Sequence, residues 1–170
     1  MVTSKFVTYC PEIPPLPQDL QNDIVKIVME NENQFVFNSP TYKNFGVFEV
    51  NERIIEWCKE HFKWNHRSSI RTIDNSLPVH IDMDNTVAYN FVLETGGEDV
   101  HTSWYESLAP NAKKIEDHVF PKGKWVRILT DSPHGVTNIE QGKKRILLAV
   151  LNITPINREA YRHQKRITCV

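Results

Sequence analysis

The chain has 170 residues, of which 40 % are hydrophobic, 24 % charged and 10 % aromatic, the profile of one soluble globular domain able to bury a sizeable core. Twenty basic against 21 acidic side chains leave a net charge of −1, so the positive field that non-specific nucleic-acid binding uses is missing and no such partner is supported. The longest apolar run, Ile146 to Leu151, is far short of the roughly 18–20 residues that span a bilayer, and Met1–Lys5 lead into no apolar stretch of secretory type; a cytoplasmic protein off the membrane is expected.

The segment Cys10–Pro17 carries four prolines, which fix the backbone and withhold amide donors, and predicts an extended arm lying along its own domain. Leu20, Ile24, Val25, Ile27 and Val28 then recur at helical spacing, with Asp19 placed to cap the start. Asn51 is placed to cap a second helix reaching Phe62, with Ile54, Ile55, Cys58 and Phe62 as its apolar stripe. From about Ser68 the pattern changes to short runs rich in Val, Ile, Leu, Tyr and Trp. These predict strands near 69–74, 78–83, 86–94, 99–105, 124–129, 134–138 and 145–153, broken at Gly96-Gly97, Pro121-Lys122-Gly123 and Glu140-Gln141-Gly142. The whole chain, 1–170, reads as a single domain. An arm and supporting helices occupy 1–67, a strand-rich core of sandwich or jelly-roll kind 68–153, and a solvated, locally basic tail 154–170. Cys10, Cys58 and Cys169 have no CxxC spacing and read as ordinary thiols.

The phosphate-binding GxxxxGK[ST] loop, GxGxxG, the GxSxG elbow and HExxH are all absent, which removes the common nucleotide, serine-hydrolase and zinc-peptidase chemistries. His80-Ile81-Asp82 remains. On a strand, residues i and i+2 share a face, so an imidazole and a carboxylate stand side by side. His134, just after the turn Ser132-Pro133, is placed to add a second imidazole from a neighbouring strand. Two histidines and one carboxylate on one face, with other positions open, suit non-haem Fe(II) rather than a closed structural zinc. Arg145 heads an apolar run covered on both faces. An unpaired buried guanidinium is costly, so it requires an anion, either an internal carboxylate or that of a bound acid.

His80-x-Asp82, His134 and, one hairpin later, Arg145 resemble the Fe(II)- and 2-oxoglutarate-dependent oxygenases of the double-stranded β-helix fold. The likeness covers roughly residues 68–153 and is nearest to small prolyl-hydroxylase-like or aspartyl/asparaginyl-hydroxylase-like members. It implies a mainly β double-stranded β-helix, or jelly roll, with two N-terminal supporting helices. It further implies Fe(II) on His80, Asp82 and His134, 2-oxoglutarate as a co-substrate held by Arg145, and hydroxylation of a primary substrate with release of succinate and CO2. Leu147 departs from that pattern, since many members carry a serine or threonine there. Candidates for the missing polar contact are Asn90, Tyr89 and Ser69; Arg71, Trp104 and Tyr105 are candidates for the substrate mouth, and Trp104 also reads as core. His101 with Lys113 is an alternative third ligand and acid-binding residue, disfavoured because Leu108–Asn111 reads as loop. His61, His66, His118 and His163 read as surface or helix-end residues. Two other functions fit the same strands: a non-catalytic cupin-like module for a metal or small molecule, and a structural or interaction β-sandwich. The primary substrate, protein side chain or metabolite, is not encoded in any recognisable loop.

Overall fold

The computed structural model describes residues 4–31, 45–82 and 86–152. In chain order the elements are β1 (Val7–Tyr9), α1 (Gln18–Glu30), β2 (Phe45–Phe48), α2 (Glu52–His61), β3 (His66–Asp74) and β4 (Leu77–His80). There follow β5 (Val87–Glu94), β6 (His101–Tyr105), β7 (Lys114–Val119), β8 (Trp125–Leu129), β9 (His134–Thr137) and β10 (Lys144–Asn152). They form two antiparallel sheets, one of six strands in the order β1-β8-β5-β10-β3-β2 and one of four in the order β4-β9-β6-β7. This is the expected jelly roll, a double-stranded β-helix.

The apolar run of β10 is explained by its place at the centre of the larger sheet, between β3 and β5. Alternation sends Ile146, Leu148 and Val150 to the outer face, where they meet Ile24, Val28, Ile54 and Cys58 of the two helices. Leu147, Ala149 and Leu151 point inward, against Trp104 and Phe120 of the opposed sheet. Each of the larger side chains, the leucines, Ile146 and Val150, contributes about 1.5–3 kcal/mol through removal of apolar surface from water. The two faces of one sheet therefore belong to two separate cores.

Helix α2 starts as its sequence predicts, with Asn51 Oδ1 accepting from the Ile54 amide at 3.0 Å. Helix α1 does not. Pro17 occupies its N-cap position without a side-chain cap, and Asp19 sits inside the first turn, where its carboxylate favours the positive helix end and pairs with Arg53 of α2. The proline arm packs on its own domain: Leu16 is fully buried, and the Trp125 indole donates to Pro14 O at 3.0 Å. The residues just before it form β1, an edge strand on β8.

Three strands escape the sequence pattern: β1 and β2, which are three and four residues long, and β7, an edge strand of mostly polar residues with no apolar alternation, whose Ile115 and Val119 are exposed. The hairpin turn at Glu140–Gly142 is present, with Lys143 N–H bonded to Glu140 O at 3.0 Å and Gly142 at φ 77°, a conformation that glycine adopts without steric cost. Among the described residues no helix is long and apolar enough to cross a membrane. The tail at 154–170, including His163 and Cys169, lies outside the described residues.

Candidate metal centre

His80 ends β4 and His134 begins β9, and the two are direct cross-strand partners. Gly135 makes that pairing tight, because a Cβ there would stand 2.9 Å from Leu77 O. The imidazole centroids are 4.4 Å apart. Asp82 lies two residues beyond the end of β4, shorter than the predicted strand at 78–83. Its amide donates to Thr130 O at 2.9 Å, so an inter-sheet hydrogen bond, rather than strand alternation, delivers the carboxylate. Its Oδ1 is 3.3 Å from His80 Nε2. One ligand atom from each of His80, Asp82 and His134 lies within 4.8 Å of the others, an arrangement able to hold a metal ion.

The protonation states suit a ligand set. His80 Nδ1 lies 2.8 Å from Pro78 O, and His134 Nδ1 lies 2.9 Å from Ser132 O. A carbonyl only accepts, so each Nδ1 carries a proton and each ring is turned with its Nε2 toward the cluster. Burial, aided by neighbouring His80, holds His134 down at about 4, against an ordinary 6.5, so it is neutral at pH 7. Burial opposes ionisation of Asp82, but the hydrogen bond from His80 and the charge of Arg71 overcome it and hold the carboxyl at about 2. Two imidazoles and a carboxylate match a divalent first-row ion.

The cavity beside this cluster is also lined by Arg71, Asn90, Thr102 and Arg145. Arg145, on the inner face of β10, is 3 % exposed. Its Nη1 donates to Thr102 Oγ1 at 3.0 Å, its Cζ stands 5.1 Å from the Phe120 ring centroid, and its Nε has no hydrogen-bond partner. Burial lowers its pKa to about 10, which leaves it charged at neutral pH. Among the described residues no carboxylate pairs with it, and a buried guanidinium favours an anionic partner.

The other residues singled out in the sequence divide between the two faces. Asn90 and Arg71 line the cavity. Tyr89 lies one residue away on β5 and therefore points outward, edge-on to Phe62 at 5.5 Å between centroids. Ser69 is buried opposite Ala149 and is outside the cavity. Trp104 is fully buried; its indole donates to Leu129 O at 3.0 Å, and its ring stacks on His134 with centroids 6.2 Å apart. Tyr105, at the end of β6, donates its amide to Pro133 O at 2.9 Å. His101 is held away from the cluster by Asp99 at 2.8 Å and Asp117 at 2.5 Å. Sequence reading missed Thr102, Thr130 and Phe120. Thr102 was within reach, since it shares a strand face with Trp104 two residues on. Phe120 follows β7, whose polar pattern concealed the strand. A wider groove of about 970 Å³ lies elsewhere, lined from α1, β2, α2 and the start of β3; none of the three clustered side chains borders it.

The sequence matches no family model and no curated protein. Among solved structures, a Pseudomonas putida prolyl-4-hydroxylase superposes with a TM-score of 0.54 over 88 % of this chain and 93 % of its own, at 12 % identity. A prolyl hydroxylase from Trichoplax adhaerens, solved in complex with a hypoxia inducible factor oxygen degradation domain peptide fragment, gives 0.53 over 88 % and 84 %, at 11 % identity. At these identities the likeness is one of fold, and it places the chain among the jelly-roll proteins.

Proposed function

We propose that the protein is an Fe(II)- and 2-oxoglutarate-dependent oxygenase that hydroxylates a C–H bond of its primary substrate. The observation that carries this reading is the joint presence, around one cavity, of a two-histidine, one-carboxylate cluster and a buried guanidinium with no counter-ion among the described residues. The fold it shares with two prolyl hydroxylases supports it.

His80, Asp82 and His134 would hold the iron. When bound, Fe(II) supplies the redox chemistry by which one oxygen atom enters succinate as CO2 leaves the oxo acid, while the other enters a substrate C–H bond as hydroxyl. Arg145 binds and orients the far carboxylate of the co-substrate, charge against charge in a site with little water. Thr102 fixes the guanidinium by accepting from Nη1 and supplies a hydroxyl that Leu147 lacks. Phe120, Leu147 and Ile128 of the cavity wall exclude water around it.

Anaerobic titration of the Fe(II)-loaded protein with 2-oxoglutarate tests the reading, with His80→Ala as the blank. A visible metal-to-ligand charge-transfer band that needs both iron and the oxo acid is expected. Folded protein that binds iron without the band would instead be a cupin-like binding module, and folded protein that binds no iron would leave a β-sandwich with no metal chemistry.

A further inference from the structure

The cavity contains a second arginine that the scheme above does not use. Arg71 lies on the inner face of β3, directly across from Leu147 and diagonal to Arg145, a relation that puts two side chains of this length within roughly 7–8 Å of each other. Its guanidinium stands 5.8 Å from the centroid of the Phe45 ring, and its Nε is buried with no hydrogen-bond partner. Among the described residues its ion-pair partner is Asp82, with 3.8 Å between Nη1 and Oδ2. An arginine whose role is to clamp a metal-ligating carboxylate closes to about 2.7–2.9 Å, usually through both arms of the fork. At 3.8 Å the attraction is Coulombic only, and the donors stay available.

A charge count identifies what they would take. Among the described residues Asp82 is the sole carboxylate bordering the cavity, and a divalent metal with Asp82 and Arg145 carries two net positive charges. A dicarboxylate co-substrate neutralises those two. Arg71 then remains as one uncompensated positive charge beside the metal, in a site where burial makes it costly. One further anionic group restores neutrality, and the primary substrate is the molecule left to bring it.

We propose that Arg71 is a substrate-binding residue that receives a carboxylate of the primary substrate, which is an organic acid rather than an uncharged interior residue of a protein chain. This rests on the oxygenase reading of the site. The planar fork suits a carboxylate approached edge-on, and the Phe45 ring stacked beside it limits the directions of approach. The reacting C–H bond is then a few bonds from the acid group, because Arg71 and the metal cluster border the same cavity.

The test uses protein loaded with Co(II) and saturated with 2-oxoglutarate, in which the visible cobalt spectrum reports changes around the metal without turnover. It is titrated with free L-amino acids and with mono- and dicarboxylic acids of two to six carbons, each beside its primary amide, and with a prolyl peptide capped at both ends. The expected result is that an acid perturbs the spectrum while its amide and the capped peptide do not. Arg71→Gln should weaken that acid roughly 10- to 100-fold, the loss of a charge-assisted contact, and move 2-oxoglutarate affinity less than about threefold. Arg71→Lys keeps the charge and should recover part of the binding, which separates recognition from a folding defect. Amides binding as well as acids, a capped peptide binding where no acid does, no response to any acid in the panel, or a loss of 2-oxoglutarate binding in Arg71→Gln would each overturn the proposal. Absence of the iron charge-transfer band in the unaltered protein would instead remove the oxygenase reading, and the two failures are told apart by that band.

Discussion

The two faces of the six-stranded sheet are built from the same strands and differ by one residue in phase. Outward, Ile70, Phe91, Leu148 and Val150 meet α1, α2 and an aromatic cluster in which Trp57 stacks on Trp125 with centroids 5.8 Å apart. The packed centre of that face is apolar, and the Trp125 indole finds a partner in the Pro14 carbonyl. Inward, the same strands present Ser69, Arg71, Asn90 and Arg145, and the Ser69 hydroxyl and both guanidinium Nε groups lack partners. Native cores rarely leave buried donors unsatisfied. Stability is concentrated on the helix side and the polar tension on the barrel side, as expected where a fold gives up stability to keep a site.

The contrast can be broken at either face. His134→Ala should have the largest effect on the inner one: loss of a ligand outweighs the roughly 10–100-fold in metal affinity associated with supporting residues, and calorimetric titration should find no binding although the circular dichroism spectrum is retained. Trp125→Ala should do the reverse, costing about 3–5 kcal/mol in urea unfolding while the folded fraction keeps its metal affinity. Arg145→Met should abolish 2-oxoglutarate binding yet stabilise the metal-free protein, by about 1–4 kcal/mol, because it removes an uncompensated buried charge; a lower midpoint of unfolding would show that Arg145 has an internal partner.

Acid should act on the inner face first. His134 falls from 6.5 to about 4 on folding, so between those values the unfolded chain binds the extra proton and stability falls as pH falls. From pH 7 to pH 5 the metal-free protein should lose about 2 kcal/mol through this group, and His134→Gln should flatten that slope. Asp82 behaves differently: its pKa is depressed from 3.8 to about 2, so its contribution is present above the first value and lost only as pH falls through the second. The smallest effect belongs to the outer face, where Asn51→Ala removes the cap of α2 and should cost about 1 kcal/mol, with metal binding untouched.

Much of this was legible in the sequence because alternation and turn residues are local. The run after Arg145 reads as a strand covered on both sides, and it is the centre of the sheet. His80-x-Asp82 and His134 read as a ligand set, and the fold brings them together. What escaped was set by long-range partners. Asp82 reaches the cluster through the Thr130 carbonyl, which a strand rule cannot see. Tyr89 and Asn90 are neighbours in sequence, and only the register with β10 decides which of them enters the cavity. Asp19 carries a capping residue's chemistry, but the rigid arm ending at Pro17 starts α1 before it. β7 has the polar composition of an edge and gives no apolar alternation to read.

The paired bonds from His80 and His134 to the carbonyls two residues before them have a consequence for how a metal is acquired. Both rings are oriented by their own strands, so their aim does not depend on an ion being present. Little ordering is left for the ion to drive, and a chelator should empty the site without unfolding the chain. Metal loading then becomes a matter of supply and exchange: the centre would accept whichever divalent first-row ion the surroundings offer, and its identity as an iron site would depend on the reducing conditions that keep Fe(II) available.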